Sequence, residues 1–75
     1  MEDVAVKIIH GDKVKIIYGD NMIYTISRPT WQYYYNCDLL IYTDDGAEII
    51  RIGSFDCMGR ALLEAEKDAQ DRSSK

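Results

Sequence analysis

One histidine and two cysteines are all the imidazole and thiol in this chain of 75 residues. That scarcity excludes a good deal. A tetrahedral zinc site takes four ligands of the Cys and His kind, and only His10, Cys37 and Cys57 exist. A disulfide scaffold needs more cysteines than two. Any Ser-His-Asp or Cys-His centre has to use His10, which sits beside Gly11 in a turn pattern with no nucleophile placed near it. No Gly-rich phosphate loop follows a strand pattern. No apolar run approaches the ~20 residues of a membrane-spanning helix. The chain starts with Glu2 and Asp3 and has no long apolar stretch there, so no secretory signal is expected. Basic residues are also short. Nine Lys+Arg stand against 13 Asp+Glu, a net charge of −4, which argues against a basic nucleic-acid clamp. These absences predict a protein with no enzymatic activity, no cofactor and no metal. The setting they suggest is cytoplasmic and reducing, with Cys37 and Cys57 as free thiols.

What is present is segregated along the chain. All ten Ile and all three Val precede residue 54, and Ala61, Leu62, Leu63, Ala65 and Ala69 follow it. β-Branched residues favour strands, while Ala and Leu favour helices. The order is therefore strands first and a helix last. Alternation marks strands at about 4–9, 13–18 and 22–27. Turns fall at Gly11-Asp12, Gly19-Asp20-Asn21 and Asp44-Asp45-Gly46. A fourth strand is read over about 31–43, after Pro29, and a fifth over 47–52. A helix over about 56–71 has Asp56 as its N-cap and an apolar stripe of Met58, Ala61, Leu62, Ala65 and Ala69. Residues 73–75 are expected to fray.

These elements predict an α+β fold over residues 1–72: an antiparallel four- or five-stranded β-meander with one C-terminal α-helix packed on one face. The helix side should carry Val4, Val6, Ile8, Val14, Ile16 and Tyr18, with Trp31, Tyr33, Tyr35, Cys37, Leu39 and Ile41 from the fourth strand. A bulge near Asn36 would swap the faces beyond it. The open face should carry Lys7, Lys15, Ile17, Tyr34, Tyr42 and Arg51.

A meander sends alternate turns to the same end. Asp20, Asp44 and Asp45 then share one end, and the helix acids Glu64, Glu66, Asp68 and Asp71 approach it, which makes an acidic pole. The Asp44-Asp45-Gly46-Ala47-Glu48 run is too short for a calcium loop. Cys57 lies at the first turn of the helix, where the dipole lowers a thiol pKa, although a small apolar role fits it better.

Six tyrosines in 75 residues, with Trp31 beside Tyr33-Tyr34-Tyr35, suit a protein interface. The expected function is a small acidic protein-binding module whose partner is a larger protein or nucleoprotein complex. In concrete terms it is a phage- or mobile-element-encoded inhibitor of a nucleic-acid-handling host defence complex, anti-CRISPR-like, acting in the host cytoplasm. The candidate contact residues are Asp20, Asp44, Asp45, Glu64, Asp68, Tyr34, Tyr42 and Arg51. Two alternatives stand beside it. One is a single-stranded nucleic-acid-binding module using Tyr34, Tyr42, Lys7, Lys15 and Arg51. The other is a homodimeric structural subunit.

Overall fold

A computed structural model describes residues 5–73 of the chain. Five strands follow one another: β1 (Ala5–His10), β2 (Lys13–Tyr18), β3 (Met22–Ser27), β4 (Tyr35–Thr43) and β5 (Gly46–Phe55). One helix, α1 (Met58–Ser73), closes the chain. The strands pair antiparallel in sequence order, β1-β2-β3-β4-β5, so the sheet is the expected meander. Val4 and residues 74–75, included in the expectations above, lie outside the described residues, and Ser73 is the last residue of α1.

The turns follow from local chemistry. Gly11 takes φ +62° and no non-glycine residue among the described residues has a positive φ, so the Gly11-Asp12 loop has the signs of a type II′ hairpin turn. That turn matches the right-handed twist of the two strands it joins. At the other end of the chain, the Cys57 carbonyl accepts from Ala61 N at 3.2 Å. Cys57 is thus the N-cap, and Asp56 stands one residue outside it, a correction to the expected cap. The free amides of the first turn sit one position later than the sequence pattern suggested.

α1 lies across β3, β4 and β5. Ala61, Ala65 and Ala69 are its buried residues, four apart, and their small side chains let the helix approach the sheet closely. The sheet contributes Val14, Ile16, Tyr24, Ile26, Cys37 and Leu39 to the same core. Burying each of the large ones is worth roughly 1.5–3 kcal/mol. The Tyr24 ring meets Tyr18 edge-on at 5.6 Å between centroids.

The register corrects three expectations. Ile16 pairs with Lys7 and Ile17 with Val6. Directly paired residues share a face, so Val6 and Ile8 lie on the open face and Lys7 on the helix face. The reason is reach: α1 covers β3 to β5, so edge strand β1 gains little from turning its apolar set inward. Lys7 instead extends to Glu66 of the helix at 3.8 Å. Second, β4 begins at Tyr35, and Trp31, Tyr33 and Tyr34 belong to the link before it. Third, the register shift lies between Cys37 and Asp38, where Asp38 pairs with Arg51 and Cys37 with Gly53. The extra residue, Ile52, is on β5. Strand β4 therefore keeps one alternation, and Tyr35, Cys37, Leu39 and Ile41 all face the helix.

Candidate functional site

The link between β3 and β4, residues 28–34, carries Trp31, Tyr33 and Tyr34. All three are exposed, Trp31 at 81% and Tyr33 at 88%. Large apolar rings held this far into water are unusual, and the loop is nonetheless tied down. Gln32 N donates to the Pro29 carbonyl at 3.0 Å, which closes a turn. Arg28 Nη1 donates to the Gln32 carbonyl at 3.1 Å, while Nη2 reaches Asp12 Oδ2 at 3.2 Å in the β1–β2 turn. The same guanidinium stands 5.7 Å from the centre of the Tyr35 ring. Asn36 Nδ2 donates to Gln32 Oε1 at 3.3 Å, and Ser54 Oγ donates to Asn36 Oδ1 at 2.8 Å. Arg28 thus clamps the loop from below and ties it to the neighbouring turn. The planar fork of arginine suits this, since it donates in two directions at once.

The second feature is the open face. Val6, Ile17, Ile23, Leu40 and Ile49 pair in succession across all five strands. They form one apolar row, with Val6 and Ile49 exposed at its ends. The next row toward the aromatic loop is Ile8, Lys15, Thr25, Asp38 and Arg51. Ile8, His10, Lys13, Lys15 and Thr25 line a shallow groove there.

The remaining candidate residues fall into two groups. Asp20, Asp44 and Asp45 are exposed in turns at the end opposite the aromatic loop. Tyr42 N donates to the Asn21 carbonyl at 2.9 Å, which joins the two acidic turns, and the Tyr42 side chain is exposed on the open face beside them. The helix carboxylates are engaged elsewhere. Glu64 accepts from Arg60 at 3.4 Å and lies 4.0 Å from Lys67. Asp68 accepts from the Tyr24 hydroxyl at 2.5 Å and from Arg72 Nε at 2.6 Å. Arg51 lies on the open face and pairs with Asp38 at 2.5 Å. So the structure brings Asp20, Asp44, Asp45 and Tyr42 to one end, places Tyr34 at the other, and commits Glu64, Asp68 and Arg51 to internal ion pairs.

Protonation follows from burial. Desolvation, and then its bond to Asp68, hold the Tyr24 hydroxyl well above the ordinary tyrosine range. Burial, and then Glu66, push Tyr18 upward. Burial, and then Asp38 and Asp68, push the Cys37 thiol to about 11, so it stays neutral. Cys57 is exposed. No group of three His, Cys, Asp or Glu side chains suited to a metal ion occurs among the described residues. No helix of the described residues is long and apolar enough to cross a membrane.

The sequence reading missed the loop because Trp31, Tyr33 and Tyr35 alternate like a strand. Strand length held the signal: β3 has six residues, and Ser27 already pairs with Asn36, so nothing remains to pair with Trp31 or Tyr33. Comparisons with family models, with curated proteins and with solved structures return no match.

Proposed function

We propose that this chain is a non-enzymatic protein-binding module whose contact element is the 28–34 loop. One observation carries the reading: exposed Trp31, Tyr33 and Tyr34 stand on a loop clamped by Arg28. Trp and Tyr dominate the energetics of protein interfaces. A loop ordered in advance gives up little entropy on binding. The helix acids support a contact built on aromatic rings, because Glu64 and Asp68 are already paired within the molecule.

The concrete version is an anti-CRISPR-like inhibitor of a nucleic-acid-handling complex. It makes a further demand, that Asp20, Asp44 and Asp45 also meet a basic groove of the partner. Both levels are tested by affinity capture from candidate host lysates, followed by calorimetry with the purified partner. Replacing Trp31 and Tyr33 together by Ala should weaken binding by about 100-fold, the product of two interface anchors of about 1.4 kcal/mol each. Undiminished binding refutes the loop as the contact. Replacing Asp20, Asp44 and Asp45 by Asn, with no loss of affinity, removes the inhibitor version and leaves the module.

A specific observation also favours single-stranded nucleic acid. Lys13 and Lys15 have no carboxylate within 4 Å among the described residues, and they line the groove at the same end as the aromatic loop. Cations beside stacking rings are the ingredients of such sites. Mobility shifts with short DNA and RNA strands at low salt test it, and no binding at tens of micromolar rejects it.

A further inference from the structure

We infer that the open face of the sheet is an interface between two copies of this chain, related by a two-fold axis running along β3. A self-paired face must be complementary to itself under its own axis. This axis lays β1 over the partner's β5, β2 over its β4, and β3 over its β3. The apolar row then meets its own image: Val6 on the partner's Ile49, Ile17 on the partner's Leu40, Ile23 on the partner's Ile23. In the next row Lys15 meets the partner's Asp38, Thr25 meets the partner's Thr25, and Arg51 meets the partner's Ile8. No like charges oppose each other. Lys15 has no carboxylate within 4 Å among the described residues, and Asp38, which also holds Arg51 of its own chain, is the one carboxylate that the pairing places on this face among them. An axis across the strands lacks this match, because it turns Asp38 toward the partner's Tyr42.

The size of the face is adequate. Five strands about 4.8 Å apart, with six residues rising about 3.3 Å each, present on the order of 500 Å² per copy before side-chain relief is counted. Two copies remove on the order of 1,000 Å² or more, where specific interfaces begin. Two twisted sheets packed this way cross at about 30°, the aligned sandwich arrangement. The geometry has a functional consequence. An axis along the strands keeps their ends together, so both aromatic loops lie at one end of the dimer and all the turn aspartates at the other. The dimer is then bivalent toward a partner. The interface does not rest on the loop's role, since it uses none of the loop's residues.

Sedimentation equilibrium and light scattering on the full chain, from micromolar to about 1 mM, test it. A concentration-dependent dimer is expected. Ile23→Lys puts two ammonium groups on the axis and should leave only monomer. Lys15→Asp should raise the dimer dissociation constant about tenfold or more, because it sets like charges opposite one another at two equivalent places. Combining Lys15→Asp with Asp38→Lys should recover part of that loss, and only part, because Asp38→Lys also gives up the ion pair with Arg51 of its own chain. Circular dichroism confirms that each variant is folded, and the Lys15 and Asp38 variants carry the test if Ile23→Lys is not. Monomer at every concentration overturns the inference. So does a dimer that is unmoved by Lys15→Asp, or one that the double variant fails to rescue even in part.

Discussion

Arg28 is the residue through which the aromatic loop is held, and its removal gives a calculable loss. Three contacts disappear in Arg28→Ala. The bond from Nη1 to the Gln32 carbonyl is charge-assisted and half-buried, worth about 1 kcal/mol. The Asp12 ion pair is solvent-facing, with side chains 32% and 58% exposed, and adds about 0.5 kcal/mol. The Tyr35 ring adds about 0.5 kcal/mol. The sum is about 2 kcal/mol, a loss of roughly 10 °C in melting temperature for a domain of this size. Arg28→Lys keeps the charge but reaches only one of Gln32 and Asp12, so about half of the loss should return. Thermal unfolding at fixed pH and salt measures the first quantity. Amide hydrogen exchange across residues 29–34 measures the second, and should rise well above any change in β2 or β3. Stability within 0.5 kcal/mol of the native chain, with unchanged exchange in the loop, refutes Arg28 as the clamp.

Other predictions concern the core. Tyr24→Phe deletes the hydroxyl that donates to Asp68 and should cost about 1 kcal/mol in urea unfolding with an unchanged slope. Gly53→Ala should cost about 1–2 kcal/mol, because a Cβ there comes to 2.9 Å of the Phe55 ring, which must shift. The thiols should separate: one equivalent per chain, Cys57, reacts rapidly with a disulfide reagent in the native state, and both react in denaturant. Cys37 also sets a pH dependence. Its folded pKa, about 11, lies above the unfolded value of 9.0, so its contribution to stability is full below pH 9 and lost as pH rises toward 11. Cys37→Ala should flatten that part of the alkaline fall in stability relative to the native chain.

The meander and its helix were legible because each strand announces itself twice, by alternation and by the Gly and Asp turns that bound it. Val14, Ile16, Cys37 and Leu39 were assignable to the core for the same reason. The phase of β1 was not legible. In the sequence Val4, Val6 and Ile8 outnumber the two apolar residues of the opposite set, Ala5 and Ile9, yet β1 lies beyond the reach of α1, and hydrophobic pattern selects a face only where something covers it. The 28–34 loop was obscured by its own alternation, and only the pairing of Ser27 with Asn36 shows where β4 begins. The register shift was expected in β4 and stands in β5, where Ile52 is the added residue. Of the candidate site, the turn aspartates were placed correctly at one end. The pairing of Glu64 and Asp68 within the helix was missed, although Arg60 and Arg72 stand four residues from them, the spacing at which helical charges meet.

Trp31 is the chain's single tryptophan, so one label reports on the loop alone. With 5-fluorotryptophan incorporated, the fluorine resonance of the free protein should be a single line, sensitive to solvent because Trp31 is exposed. Adding the unlabelled partner protein should shift that line and shield it from solvent in proportion to the complex formed. A complex of full mass by light scattering, with the Trp31 resonance unmoved, contradicts the assignment of the loop as the binding element.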